Sequence, residues 1–295
     1  MRAVAEMGEH MKKWKETIFK YPIIFTTTIL VLAIILTELK IEKFFYGFLD
    51  KQGASYLTIF LEQGFVGLII LLIIAFLGIR MEAGFTKQGH WKQIWLVWPI
   101  LLYFVLNGWS VFSGEASIDF SKPNILVLFL LKLLTIGFFE ETLCRGLVTT
   151  LLMKKWGRTK KGIYFAVLTS SILFGVAHII NFIMGRTTLI MVITQMIYAT
   201  CYGVFFSAYL LRTRLIWPLM IAHAGYNMCG DLAEIIKNGS FGQVESATVS
   251  QMISTIIILF PLFLYGLFIL RKVEPNAIPE ENNSYNTNFK DIQAE

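Results

Sequence analysis

Residues 125–153 read ILVLFLLKLLTIGFFEETLCRGLVTTLLM, an almost continuously apolar stretch with Glu140, Glu141 and Arg145 well inside it. At about 1.5 Å rise per residue, the segment is longer than a hydrocarbon core of ~30 Å requires. Each ionisable group at the centre of such a span costs about 2.5–3.5 kcal/mol on insertion scales. A chain keeps three of them only if they pair inside the protein or do work there, so function is sought at this point.

The rest of the chain has the same character. Of its 295 residues 56% are hydrophobic, and the mean hydropathy is +0.63. A soluble domain of this size would leave too much apolar surface in water. The composition therefore predicts an all-α, polytopic membrane protein. Stretches of about 17–25 apolar residues give about eight spans, at 21–39, 56–79, 95–112, 125–153, 163–184, 189–211, 215–231 and 252–270. Residues 1–20 are read as a basic cytoplasmic leader, and 21–272 as a single transmembrane domain. Residues 273–295, rich in Asn, Glu and Pro, are expected to be a disordered cytoplasmic tail.

Charge placement orients the bundle. With the N-terminus in the cytoplasm, the cytoplasmic segments hold 18 Lys and Arg and the outer loops 6, while Lys132 and Arg145 lie within the fourth span. That bias fits the positive-inside rule with both termini cytoplasmic, in a multi-pass protein of the cell membrane. The basic residues are scattered over short loops and do not form a nucleic-acid surface. The lipid bilayer is the expected partner, and nucleic acid is not. Cys144, Cys201 and Cys229 all fall in spans and make no disulfide framework or CxxC site.

Three spans carry polar residues at helical spacing. Residues four apart share a helix face, so Glu141 can pair with Arg145, Phe174 lies beside His178, and His223 aligns with Asn227. Glu140 is rotated about 100° from Glu141 and can point elsewhere. Glu140, His178, His223 and Asn227 come out at overlapping depths, ~12–22 Å from the cytoplasmic ends of their spans. A shared intramembrane site is therefore possible. It could hold a water between carboxylate and imidazole, with a second His and an Asn amide donating to a developing oxyanion. The same Glu and His side chains could instead ligate a divalent metal such as zinc. Each residue also has a structural reading, as an ion pair or helix-packing group. The polar set recurs on three helices, and helix packing alone gives no need for it.

At these residues the chain resembles the CPBP family, the CAAX-protease and bacteriocin-processing membrane proteins that include type II CAAX prenyl endopeptidases. The resemblance rests on Glu140-Glu141-Thr142-Leu143-Cys144-Arg145, Phe174-Gly175-Val176-Ala177-His178 and His223-Ala224-Gly225-Tyr226-Asn227, in that order on separate helices. It covers about residues 125–230 and implies an eight-helix membrane endopeptidase with its catalytic core there, acting on a membrane-associated peptide or protein. By the family pattern, Glu140 and His178 activate the water, His223 and Asn227 stabilise the oxyanion, and Glu141 and Arg145 form a supporting pair. The resemblance leaves metal dependence open. The competing classes are a non-catalytic bacteriocin self-immunity or scaffold protein and a proton-coupled transporter. The internal repeats common in transporters are not visible in the sequence.

Overall fold

The computed structural model describes residues 2–39, 41–239, 241–242 and 247–278. Among these the chain is helical throughout, with one isolated antiparallel bridge between Ile118 and Ile236 and no strand. The helices are α1 (Arg2–Lys20), α2 (Pro22–Leu36), α3 (Lys51–Leu77), α4 (Pro99–Asn107), α5 (Trp109–Phe112) and α6 (Pro123–Glu141). A π-helical segment (Thr142–Thr149) then leads into α7 (Thr150–Trp156), followed by α8 (Lys160–Ala177), α9 (Ile179–Ile183), α10 (Leu189–Thr213), α11 (Trp217–Gly230) and α12 (Val249–Leu270).

Among the described residues, five helical stretches are long and apolar enough to cross a membrane: Pro22–Phe45, Lys51–Leu77, Lys160–Ile183, Leu189–Thr213 and Val249–Leu270. The other three of the eight expected spans are not single long helices. Residues 95–112 break into a 3-10 turn (Trp91–Val97), α4 and α5, because Pro99 starts a new helix and Gly108 ends it. Residues 125–153 run as α6, the π segment and α7, with the charged residues at the junction. Residues 215–231 give only the 14-residue α11, which has Pro218 in its first turn.

Local signals set the ends of the long helices. Asp50 caps α3 by accepting from the Gly53 amide at 2.8 Å, and Gly78 closes that helix in the left-handed region at φ 77°. Thr159, Thr188 and Thr248 cap α8, α10 and α12, the last through a full capping box with Gln251.

Two close crossings bring the polar helices together. A Cβ on Gly137 of α6 would lie 2.4 Å from the Met220 carbonyl oxygen and 3.2 Å from the Ala224 nitrogen of α11. One on Gly266 of α12 would lie 2.8 Å from the Phe205 Cα of α10. Small residues allow this backbone approach where water supplies no driving force between helices. The α6–α11 crossing matters most, since Met220 and Ala224 bracket His223 and Gly137 lies one turn before Glu141.

A second, part-buried polar knot braces the same pair of helices. Lys132, 4% exposed, donates to Asp231 at 3.0 Å and to Glu234 at 2.8 Å, beyond the end of α11. Its ammonium lies over the rings of Tyr56 (4.7 Å) and Phe129 (5.1 Å). The Tyr56 hydroxyl donates to Glu234 at 2.8 Å, and Gln52 donates to the Glu234 carbonyl. Lys132, buried in apolar α6, is thus paired across to the far end of α11.

The tail departs from expectation at its start. Val273 and Ile278 are buried against the core, the Val273 carbonyl accepts from Lys160, and the Asn276 amide donates to the Gly157 carbonyl. Two apolar side chains and satisfied backbone groups hold 273–278 down, so disorder does not begin at 273. Residues 279–295 of the expected tail lie outside the described residues.

Replacing Gly137 by Val should lower stability by about 1–3 kcal/mol, the usual cost of overpacking a close contact. Thermal unfolding in detergent reads this, and an unchanged midpoint would contradict the crossing.

Candidate functional site

Glu140 and Glu141 occupy the last turn of α6, where the chain passes into the π segment. The widened turns show in side-chain bonds spanning five residues, Thr149 Oγ1 to the Cys144 carbonyl at 2.9 Å and Thr150 Oγ1 to the Arg145 carbonyl at 3.2 Å. Single π turns inside helices concentrate at functional sites. Here the segment begins directly after the paired carboxylates and contains Arg145.

Glu141 is the centre of the set. It is fully buried, and its Oε1 accepts from Arg145 Nη1 at 3.1 Å and from His223 Nδ1 at 2.7 Å. Arg145 is 1% exposed, and its guanidinium lies 4.3 Å from the Phe174 ring centroid and 5.3 Å from that of Phe206. The same two rings meet the edge of His223, at 6.4 and 6.0 Å. Phe174 and Phe206 therefore enclose the cation and the imidazole together.

Hydrogen-bond chemistry assigns the tautomers. A carboxylate only accepts, so His223 Nδ1 carries the proton given to Glu141, and Nε2 is turned toward Glu140 Oε2 at 3.5 Å. The two atoms are in ion-pair range without a hydrogen bond between them. His178 follows the same logic. Its Nδ1 bonds the Phe174 carbonyl at 3.0 Å, which can only accept, so Nε2 carries the free lone pair. Glu140 Oε2, Glu141 Oε2 and Arg145 Nη2 are buried without a hydrogen-bond partner, so the site retains polar capacity its own side chains do not consume.

The six candidate residues are thus joined to different degrees. Glu141, Arg145 and His223 form one bonded set, with Glu140 at its edge. His178 is connected through Phe174, whose ring lies 5.0 Å from the imidazole. Asn227, half-buried, is connected through α11, one turn beyond His223. The expected Glu141–Arg145 pair is present, and Glu141 also reaches across to α11. Two contributors carried no signal in the sequence. Phe206 is one more aromatic in an apolar helix, and the buried hydroxyl cluster of Thr149, Ser170 and Ser207, with bonds of 3.0 and 3.1 Å, consists of ordinary small residues.

The donor set does not fit a metal. Among the described residues no three His, Cys, Asp or Glu side chains converge as a ligand group. His223 is bonded to Glu141 and turned toward Glu140, so these side chains face one another instead of a common centre.

Fold and site together define a membrane protein with a carboxylate–imidazole centre buried between helices. Residues 122–229 match the family model described as type II CAAX prenyl endopeptidase Rce1-like, a segment that contains all three motifs. The match covers 108 of the 295 residues, and over this segment the chain is similar to that family. No curated protein and no solved structure matches the chain.

Replacing Arg145 by Leu would strand the Glu141 charge away from water. Removing one partner of a buried pair costs about 3–5 kcal/mol. Thermal unfolding should show that loss, and a change within error would make the pair a bystander.

Proposed function

We propose that the protein is an intramembrane endopeptidase of the cell membrane, with both termini cytoplasmic. It hydrolyses peptide bonds of membrane-associated substrates such as prenylated tails or bacteriocin-type peptides. The observation that carries this reading is the 2.7 Å bond from His223 Nδ1 to Glu141, which turns the other ring nitrogen toward Glu140. A carboxylate thus orients an imidazole, as in other hydrolytic centres.

The chemistry follows from where the protons sit. In this reading His223 is protonated on Nε2 as well as Nδ1, so Glu140 is a free base and His223 a donor. Glu140 takes a proton from water, while the unprotonated Nε2 of His178 accepts the second water hydrogen and aims the oxygen. The oxygen attacks the scissile carbonyl carbon, and its π electrons move to the oxyanion. His223 Nε2–H and the Asn227 amide donate to that oxyanion. Collapse of the tetrahedral species breaks the C–N bond, and Glu140 passes its proton to the departing amine. Glu141 and Arg145 hold His223 in register throughout, and the two Phe rings keep the centre dry.

The test is cleavage of a membrane-tethered peptide library by purified protein in liposomes. Glu140→Gln keeps the shape and removes the base, so turnover should fall by about 10²-fold or more with the melting midpoint preserved. Cleavage at the wild-type rate, or an in vivo phenotype untouched by this change, would favour a non-catalytic immunity or scaffold role.

A further inference from the structure

Helix α1 is amphipathic, and the bundle uses only one end of its apolar side. Residues three and four apart share a helix face, which aligns Met11, Trp14, Lys15 and Ile18. Ile18 is buried in the core, and Phe19 packs against it. One and two turns earlier the same face is bare, with Trp14 68% exposed and Met11 43%. Ile18 thus anchors a stripe whose other end the bundle leaves open.

The contacts of α1 place that open end at the membrane. Only Tyr21 separates α1 from α2, which begins a stretch able to span the bilayer. The Lys15 ammonium lies over the Phe76 ring at 5.3 Å, in the last turn of α3. Phe76 is itself 43% exposed, and an exposed ring on a spanning helix faces lipid. The face of α1 that carries Lys15, Met11 and Trp14 is therefore turned toward lipid at the end of α3. On the other side, the Phe19 ring meets the Lys154 ammonium at 5.7 Å, in the last turn of α7. These are the span ends that the bias of Lys and Arg assigns to the cytoplasm.

Charge selects the kind of lipid. From Met11 to Lys20 the helix has four lysines, Lys12, Lys13, Lys15 and Lys20, and one acid, Glu16. Lys13 pairs with Glu9 at 3.2 Å on the opposite, water-facing side. Lys12 and Lys15 border the stripe, where their stems can lie along acyl chains while the ammonium groups reach the phosphates. An indole and lysines beside an apolar strip suit the headgroup region of an anionic leaflet. A second copy packed on the same stripe would instead bring the border lysines of both chains together, which like charge opposes.

We propose that the Met11–Trp14 face of α1 lies in the headgroup region of the cytoplasmic leaflet and binds anionic phospholipid, with Lys12 and Lys15 on the phosphates. This surface is independent of the peptidase reading.

Nitroxide labels on Met11→Cys and Lys13→Cys test it in liposomes of phosphatidylcholine with or without phosphatidylglycerol. Both positions are exposed and the native cysteines are buried, so labels sit at the introduced sites and the melting midpoint should be unchanged. With phosphatidylglycerol, the Met11→Cys label should relax more with oxygen than with a water-soluble nickel chelate, and the Lys13→Cys label the reverse. In phosphatidylcholine alone that difference should shrink. Adding Lys12→Gln and Lys15→Gln to Met11→Cys should shift its surface-bound to free ratio by about 10-fold toward the free helix, as loss of two charges from an anionic surface requires. A Met11→Cys label open to water with phosphatidylglycerol overturns the proposal. So does a label equally buried in both lipids, which would mean apolar adsorption without anionic selectivity. Spin–spin broadening at Met11→Cys also overturns it, because a second copy would then cover the stripe.

Discussion

One carboxylate oxygen holds the structure's chemistry together. Glu141 Oε1 accepts from Arg145 on its own helix and from His223 on another. A fully buried carboxylate needs a counter-charge and good hydrogen bonds to offset its desolvation, and here both come to one atom. The bond within the helix neutralises the charge, and the bond between helices sets the imidazole. Since the two are shared, neither the position of α11 nor the tautomer of His223 is independent of the Arg145 pair.

That arrangement needs α6 and α11 to approach closely and stay in register. Gly137 permits the approach, because any larger side chain would meet the Met220 carbonyl. Lys132 fixes the far end of α11 through Asp231 and Glu234. The first device acts around His223 and the second beyond Asn227, and they differ in chemistry, close packing at one and a part-buried ion cluster at the other. The aromatic enclosure by Phe174 and Phe206 then keeps the centre in low dielectric, where oriented donors are worth more than in water.

Contacts within one helix were legible in the sequence. The four-residue spacing of Glu141 and Arg145, or of Phe174 and His178, follows from helix geometry alone. Contacts between helices were not. Nothing in spacing says that His223 meets Glu141, because this depends on a crossing set by Gly137, or that Phe174 links His178 to the set. Lys132 read as a lone charge in the fourth span, since its partners Asp231 and Glu234 fall at and beyond the end of another. Of the eight expected spans, five stand as long helices, one breaks at Pro99, one at the charged junction, and one is the 14-residue α11 that opens at Pro218. Hydropathy counts apolar length, and it does not weigh backbone breaks that neighbouring helices satisfy. The buried start of the tail escaped notice for a similar reason, because only Val273, Ala277 and Ile278 distinguish it from a polar linker.

The account stands most directly on the coupling between Glu141 and His223. A double-mutant cycle with Glu141→Gln and His223→Gln, read by unfolding free energy in detergent, isolates that term. A coupling of about 1–3 kcal/mol is expected for residues sharing a buried bond. Strict additivity of the two substitutions would mean that the carboxylate does not hold the imidazole, and the proposed centre would fail with it.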